Sequence, residues 1–331
     1  MTDEDRAEGS EARTEALLGI VRDMAYELHP ERRQHLQLTL TSDLDRDLGF
    51  DSLARIELLR RINQVFRVDV GEAVLETAET PGDLLAALTG ARPHRPGVAT
   101  AERTPLEAVA SSPAAAATLI EVLGWHASEH PDRPHVRLLE ADGSISDISH
   151  GELRAGAGRV AAGLRDMSLL PGSHVAIMLP TSADYLYCFF GVLMAGGVPV
   201  PIYPPARASQ IEEHLRRHAG ILDNARTPLL ITVERARRVA RLLEARVPDL
   251  ARVASVAELT RTGVKAAPAK ARAADVAFLQ YTSGSTGDPK GVVLTHANLL
   301  ANIRAMGEAI EADSRDVFVS WLPLYHDMGL I

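Results

Sequence analysis

The sequence predicts two folded parts of different class: a small all-α helical bundle over residues 13–90 and an α/β layered domain over residues 118–331, incomplete at its C-terminus. Three observations lead to this prediction. Apolar side chains recur at helical spacing in the first part, strand and helix patterns alternate in the second, and a glycine-rich loop separates two apolar strands. With 331 residues and 46% hydrophobic content, the chain is large enough for two cores.

Residues 13–90 are predicted to form three or four helices. Leu17, Met24 and Leu28 lie on one helical face, and Pro30 ends that helix. Apolar positions over residues 53–66 predict a second helix. Thr80 before Pro81 predicts a third helix start, since the hydroxyl can cap and proline suits the first helical position. The polar residues 1–12 are predicted to be disordered.

The segment 91–117 is rich in Ala, Pro, Ser and Thr and shows no apolar period, which predicts a flexible linker. Charge also separates the two parts. Residues 1–90 carry 19 acidic and 10 basic side chains, whereas residues 91–331 carry 25 of each. An acidic first part argues against nucleic acid as a partner.

Cysteine usage and hydropathy indicate a cytoplasmic protein. Cys188 is the only cysteine, so no internal disulfide can form, and the acidic N-terminus is unlike a signal peptide. Residues 185–206 are uncharged, but glycines and prolines interrupt them, so we expect a buried helix and a strand rather than a membrane span.

From residue 118 onward, strands and helices alternate. Strands are predicted at 136–139, 173–179, 198–202 and 229–233, and helices at 118–130, 151–165, 183–195, 210–225 and 234–245. This alternation predicts mostly parallel strands. The glycine-rich loop would then lie at a strand end, where such sheets bind ligands.

That loop, residues 281–291, reads YTSGSTGDPKG between apolar runs at 276–281 and 292–294. Glycines let backbone N–H groups approach an anion, hydroxyls add donors, and Lys290 adds a positive charge. Because Lys290 follows Pro289 rather than glycine, the loop is not the common P-loop. The chain has only three lysines, Lys265, Lys270 and Lys290, so a lysine here stands out. The pattern predicts a phosphate-binding loop.

This loop resembles the nucleotide-binding loop of adenylate-forming enzymes. The segments LPT at 179–181, FFGVLMAGGVPVPIYPP at 189–205 and WLPLYHDMGLI at 321–331 resemble one branch of that superfamily, the fatty acyl-AMP ligases. His150 departs from the pattern, since these domains usually place tyrosine there, and we interpret this position as structural.

The resemblance implies ATP and Mg²⁺ as cofactors and a fatty acid as substrate. The residues implied to bind the nucleotide are Thr282, Ser283, Gly284, Ser285, Thr286, Gly287 and Lys290. Thr282 is also implied as a ligand of Mg²⁺, whose main acidic ligand would lie beyond residue 331. The residues implied near the acyl carboxylate are Tyr325, His326 and Asp327.

Ser52 lies in DLGFDSL, residues 47–53, which resembles the attachment signature of acyl and peptidyl carrier domains. An isolated serine at this point would be read as a helix N-cap. The resemblance instead implies 4′-phosphopantetheine, transferred from coenzyme A by a phosphopantetheinyl transferase. The free N–H groups of a helix N-terminus suit its phosphodiester. Free-standing acyl carriers usually have a strongly acidic second helix, but here Arg55, Arg60 and Arg61 flank the single acid Glu57. This departure suggests a carrier served mainly by domains of its own polypeptide. The expected partners are downstream synthase or acyltransferase domains.

Together the two resemblances imply activation of a fatty acid as acyl-AMP and its transfer to the carrier thiol, in lipid or polyketide/lipopeptide biosynthesis. Two alternatives remain: an acyl-CoA ligase with a fused carrier, and a non-catalytic carrier or interaction protein with a vestigial ligase half. The family's later motifs lie beyond Ile331. We therefore expect the front part of a longer enzyme, inactive alone.

Overall fold

The computed structural model divides the chain into two compact units, residues 1–103 and 104–331. It describes residues 3–30, 36–50, 52–70, 74, 78–93, 106–139, 144–204, 211–261, 263–282 and 289–330. The division falls within the segment predicted as a linker. None of the helices in these ranges combines the length and the apolar character needed to cross a bilayer.

The described residues of unit 1 include three helices that pack around one apolar core. They are α1 (Asp3–Leu28), α2 (Ser52–Phe66) and α3 (Pro81–Gly90). Thr80 caps α3 as predicted, because its hydroxyl accepts a hydrogen bond from the Asp83 amide while the Asp83 carboxylate accepts one from the Thr80 amide. The core is formed by residues from all three helices and from the loop before α2, including Leu17, Val21, Leu48, Phe50, Leu58, Ile62 and Leu84.

Unit 1 differs from its prediction at both ends. Helix α1 begins at Asp3, although residues 1–12 were predicted to be disordered. These residues have no apolar period, but they contain strong helix formers and no proline, so they extend the helix already formed by 13–28. A short antiparallel pair, β1 (Val68–Asp69) with β2 (Arg92–Pro93), also means that the bundle is not purely α-helical. Two-residue strands are too short to show a period of two.

Unit 2 is built on a parallel sheet with strand order β6-β5-β7-β8, which confirms the α/β layered fold. These strands are β5 (His174–Met178), β6 (Val198–Pro201), β7 (Leu229–Thr232) and β8 (Arg252–Ser255). The helices that precede, connect or follow them are α4 (Leu119–Glu129), α5 (His150–Asp166), α6 (Ala183–Ala195), α7 (Ile211–Asn224), α8 (Arg237–Glu244) and α9 (Val256–Leu259). A 3₁₀ turn, Glu234–Ala236, precedes α8.

The two faces of this sheet bury separate apolar clusters. Along β5, Val175 and Ile177 belong to one cluster, whereas Ala176 and Met178 belong to the other, as strand alternation requires. Cys188 on α6 lies in the first cluster with none of its surface exposed. Burial raises the pKa of its thiol well above the ordinary value.

Two further strand pairs are antiparallel, which corrects part of the expectation of parallel strands. Strand β3 (Pro134–Leu139) pairs with β4 (Ile145–Ser149), and β9 (Val276–Thr282) pairs with β10 (Lys290–Thr295). Only residues 283–289 connect β9 to β10, whereas a parallel crossover needs a dozen or more residues. After β10 come α10 (His296–Ala309) and the single turn α11 (Asp327–Leu330).

Residues 106–117 follow the surface of unit 2, although they were predicted as part of a flexible linker. The Val109 amide donates to Ser314 Oγ at 2.8 Å. Arg304 donates to the carbonyl of Ala116 at 2.7 Å, and Arg133 donates to that of Glu107 at 3.0 Å. Arginine side chains donate hydrogen bonds to backbone carbonyls of this segment. Because such contacts do not depend on apolar side chains of the segment, its sequence shows no apolar period that would have predicted them.

Histidines form a stack beside the start of α5. The His150 ring is 6% exposed and lies between those of His126 and His135, with centroid distances of 4.6 Å and 4.5 Å. Burial, as the largest cause, and charge repulsion from His135, His126, Arg133 and His130 together lower the pKa of His150 to about 3. His150 is thus a core residue, consistent with its structural interpretation.

Candidate active site

The glycine-rich loop connects the two strands of the β9–β10 hairpin. Register pairs Thr282 with Lys290 and Tyr281 with Gly291, so the first and last residues predicted to bind nucleotide lie opposite each other. The predicted residues between them, Ser283, Gly284, Ser285, Thr286 and Gly287, lie outside the described residues. An antiparallel hairpin therefore presents the loop, rather than the end of a parallel strand.

Lys290 is exposed at the start of β10. Among the residues that the structure describes, no carboxylate forms an ion pair with its ammonium group. Its charge is thus available to an external anion. An exposed lysine next to a loop whose sequence is rich in hydroxyl side chains suits the phosphates of ATP.

Gly291 allows a close approach within the hairpin. A Cβ at this position would lie 2.9 Å from the Tyr281 ring, closer than real Cβ atoms approach. The Tyr281 hydroxyl donates to Asn224 Oδ1 at 2.5 Å, so it joins β9 to the end of α7. The base of the loop is therefore packed against the helical layer as well as paired within the hairpin.

Leu324, next to the predicted acyl-site residues, is held by contacts with the α6 region. The Tyr185 hydroxyl donates to the Leu324 carbonyl at 2.6 Å, and the Leu324 amide donates to Thr181 Oγ1 at 3.0 Å. Tyr325 is half-buried and His326 is exposed. Asp327 begins α11, and its side chain lies outside the described part.

Gln280 brings this segment close to the hairpin. It lies on β9, two residues before Thr282, and its Nε2 makes a long contact of 3.5 Å with the Tyr325 carbonyl. The structure thus places Tyr325 beside the strand that leads into the loop. Gln280, Tyr185 and Thr181 were not among the predicted site residues. A glutamine inside the apolar run VAFLQY was the one available signal.

Thr282 was also predicted to bind Mg²⁺. Thr282 is the one predicted Mg²⁺ ligand within the described residues, and those residues contain no group of three or more His, Cys, Asp or Glu side chains placed to hold a metal ion. A threonine hydroxyl beside bound phosphates is an oxygen ligand of the kind that Mg²⁺ accepts.

Ser52 is the first residue of α2, at the helix N-terminus in unit 1; its side chain lies outside the described part. Hydrogen bonds to Asp43 and the buried ring of Phe50 hold the preceding loop in place. Asp43 Oδ1 accepts hydrogen bonds from the amides of Asp45 and Arg46, and Gly49 has a φ of 71°, a left-handed conformation that favours glycine. Phe50 is fully buried, so it anchors the chain two residues before Ser52.

Helix α2 is held to α1 through Arg61. Its guanidinium contacts Glu27 of α1 at 2.7 Å and Glu57 of α2 at 2.8 Å. Hydrogen bonds from Arg60 and Arg61 lower the pKa of Glu57 to about 2. Arg60 and Arg61 thus form ion pairs with acids of their own bundle, so these two arginines have a structural role within unit 1.

An α/β sheet with a glycine-rich hairpin loop, in a chain that also contains a helical unit with a serine at a helix N-terminus, defines a nucleotide-activating domain joined to a carrier-type domain. The model of the AMP-binding enzyme family matches residues 123–331, and that of the phosphopantetheine attachment site matches residues 30–88. The chain therefore belongs to the AMP-binding enzyme family and contains a phosphopantetheine attachment domain.

Individual relatives agree with this assignment. The chain is 38% identical over 198 residues to the long-chain-fatty-acid–AMP ligase FadD32 of Mycolicibacterium smegmatis, covering 58% of this chain and 30% of that protein. It is 31% identical over 233 residues to a 4-hydroxyphenylalkanoate adenylyltransferase of Mycobacterium marinum, covering 65% of this chain and 36% of the relative. The chain thus spans about a third of the length of these curated relatives.

Solved structures show the same similarity. A fatty acid AMP ligase from Legionella pneumophila superposes with a TM-score of 0.57 at 27% identity, covering 66% of this chain and 37% of that one. A structure from a study of fatty acyl-adenylate ligases of E. coli and L. pneumophila gives a TM-score of 0.59 at 30% identity, covering 64% and 38%.

Proposed function

We propose that this protein activates a fatty acid with ATP as an acyl-adenylate and transfers the acyl group to a phosphopantetheine thiol on its carrier domain. One observation carries the proposal: β9, the strand that leads into the glycine-rich loop of an AMP-binding unit, lies beside Tyr325, in a chain that also contains a phosphopantetheine attachment domain. The fatty acyl-AMP ligases among its relatives support a fatty acid as the substrate.

In the first half-reaction a carboxylate oxygen attacks the α-phosphorus of ATP. The bond from that phosphorus to the bridging oxygen breaks, and pyrophosphate leaves with the electron pair. Lys290, Thr282 and the loop residues 283–287 would hold the β- and γ-phosphates and so align the α-phosphorus, because phosphoryl transfer depends mainly on positioning and charge stabilisation. Mg²⁺, held in part by Thr282, would neutralise phosphate charge.

The acyl carboxylate would lie at the segment that contains Tyr325, His326 and Asp327. The first of these is half-buried beside β9, and the second is exposed. On unit 1, Ser52 would hold 4′-phosphopantetheine, whose thiol would attack the acyl carbonyl; a thioester would form, the bond from the acyl carbon to the AMP oxygen would break, and AMP and the thiol proton would be released. The N-terminal N–H groups of α2 would stabilise the phosphodiester.

Two assays test the proposal. In the first, the full chain is incubated with coenzyme A and a pantetheinyl transferase, and intact mass is measured. We expect one phosphopantetheine on wild type and on Thr89→Ala, an exposed hydroxyl of unit 1, and none on Ser52→Ala. Modification of Ser52→Ala, or none of wild type, would contradict the carrier assignment.

In the second assay, residues 1–331 are joined to the C-terminal part of an adenylate-forming relative, because alone they are expected to be inactive, and ATP–pyrophosphate exchange is measured with fatty acids of increasing chain length. Exchange that depends on a fatty acid supports adenylation. Ser52→Ala should leave this exchange intact, because the serine acts only as acceptor. ATP binding without exchange for any acid would favour a vestigial ligase half instead.

A further inference from the structure

Both polar backbone groups of Leu324 are held by side chains, whereas the His326 amide beside it donates to the Pro323 carbonyl at 3.0 Å. Leu324 uses its amide to donate to Thr181 Oγ1 at 3.0 Å, and its carbonyl accepts from the Tyr185 hydroxyl at 2.6 Å. Both polar groups of one residue are therefore fixed by two side chains from the same region. Such a contact determines the direction in which the following residues, Tyr325 and His326, leave the core.

Tyr185 gives this contact a rigid base. Its side chain is fully buried in the core of unit 2, and burial raises the pKa of its phenol, so the hydroxyl keeps its proton as a donor. Its own amide donates to Ser182 Oγ at 3.3 Å, which caps the start of α6. Thr181 lies in the short turn between β5 and α6. The two side chains thus come from the carboxyl end of a central strand, where α/β sheets place ligand sites.

Gln280 makes a third contact from a different element. It is 3% exposed on β9, and its Nε2 lies 3.5 Å from the Tyr325 carbonyl and 3.4 Å from that of Tyr281. Its Oε1 is buried with no hydrogen-bond partner among the described residues. A buried oxygen without a partner costs free energy, so the contacts of Nε2 are the ones that hold this side chain in place.

We propose that Thr181, Tyr185 and Gln280 are positioning residues that hold the 324–326 backbone in fixed register with β9 and its nucleotide loop. The inference rests on the proposed function for its catalytic meaning. None of the three need touch the substrate: they set where the Tyr325–His326 segment lies relative to the phosphates. We refer to the three as the Leu324 clamp.

Hydrogen exchange on the full chain, without substrate, tests the clamp directly. Tyr185→Phe removes one hydroxyl and keeps the ring, while Thr181→Val removes the acceptor of the Leu324 amide. In both variants we expect the backbone amides of 322–327 to exchange about tenfold faster, and those of β5 and β7 to keep the wild-type rate. Thr181→Ser, which retains the hydroxyl, should restore slow exchange.

Tyr187→Phe is the matched control. Tyr187 lies two residues further along α6, and its hydroxyl makes no hydrogen bond to the described residues. This variant should exchange as wild type does. Wild-type exchange at 322–327 in both Tyr185→Phe and Thr181→Val would overturn the clamp. So would a uniform increase over the whole of unit 2, because Tyr185 would then serve only the core.

A kinetic measurement separates the clamp from the proposed function. In ATP–pyrophosphate exchange, Tyr185→Phe should lower kcat/KM for the fatty acid about tenfold while KM for ATP stays within about twofold of wild type. Equal loss for both substrates would indicate general damage and overturn a positioning role. Absence of exchange in wild type itself would refute adenylation, and hydrogen exchange would still decide whether the clamp exists.

Discussion

Lys290 is the single residue whose charge matters most to the proposed chemistry. It lies opposite Thr282 across the hairpin, and no described carboxylate neutralises it. We predict that Lys290→Ala slows ATP–pyrophosphate exchange by raising its activation free energy by about 3 kcal/mol, since one charge-stabilising donor is lost from the phosphate site. The rate of exchange at saturating fatty acid is the measurement.

The chain supplies its own control for this change. Lys270 is exposed and lies outside the hairpin, so Lys270→Ala removes the same charge without touching the loop. It should exchange at the wild-type rate. If the two lysine variants behave alike, Lys290 has no specific part in binding the phosphates.

Residue identity predicted some contacts of this site and missed others. Thr282 and Lys290 were predicted because glycine-rich loops with a lysine have a local signature, and the pairing of these two residues is visible within one hairpin. Tyr185 and Leu324 contact each other across 139 positions of sequence. No local period reports such a contact, and a tyrosine on an apolar helix face is ordinarily a core residue.

At the scale of elements, small residues on α5 allow its neighbours to approach. A Cβ added at Gly163 would lie 2.0 Å from the carbonyl oxygen of Leu259 in α9. We predict that Gly163→Ala destabilises unit 2 by about 1–3 kcal/mol or more, because the obstructing atom is backbone and cannot rotate away. Urea unfolding followed by tryptophan fluorescence measures this, since both tryptophans, Trp125 and Trp321, lie in unit 2.

Gly220→Ala is the comparison for this prediction. Gly220 lies in α7 with nothing within 4 Å of its added Cβ, so alanine there should stabilise the helix by about 0.5–1 kcal/mol. Opposite signs for the two substitutions would confirm that contact with α9, and not helix propensity, makes Gly163 necessary. Destabilisation of equal size at both positions would contradict this.

Elements were predicted well where apolar runs were long. Predicted and observed bounds of α6 are the same, 183–195, and those of β5 differ by one residue at each end. Strand β4 was not predicted, because ISDIS is largely exposed and polar, and β8 was not predicted because RVAS has only valine and alanine as apolar residues. The antiparallel pairing of β9 with β10 was not predicted, because strand direction depends on the length of the connection, which periodicity does not report.

At the scale of the whole molecule, the histidine stack makes stability depend on pH. His150 keeps a pKa of about 3 when folded, because it is buried among His126, His135, His130 and Arg133. Unfolded histidine titrates near 6.5, so below that pH the unfolded chain binds more protons than the folded one. Folded stability is therefore full above about pH 6.5 and falls as the pH drops toward 3.

We predict a loss of about 1–2 kcal/mol of unfolding free energy for unit 2 between pH 7 and pH 5 from this stack. The measurement is urea unfolding at each pH, followed by tryptophan fluorescence. His150→Tyr removes the central imidazole and should reduce the slope of stability against pH. An unchanged slope in this variant would show that other groups cause the pH dependence.

Charge divides the molecule as sharply as the fold does. The acidic excess lies in the first 90 residues, and the described acids of unit 1 are partly occupied by its own arginines, as in the Arg61 contacts with Glu27 and Glu57. Composition predicted the excess of acidic residues, but not that arginines of α2 pair with acids of the same bundle. The contact of Arg61 with Glu27, 34 positions away in the sequence, is visible only in the structure.

Because Cys188 is buried, its thiol can be distinguished from a pantetheine thiol by labelling. The sulfur is inaccessible in the folded state, and its raised pKa leaves almost no thiolate to react. A maleimide dye should therefore leave the unmodified native protein unlabelled, and label it with one equivalent once Ser52 carries pantetheine. Denaturant should then expose one more reactive sulfur, so the stoichiometry of labelling separates the prosthetic arm from the protein's own cysteine.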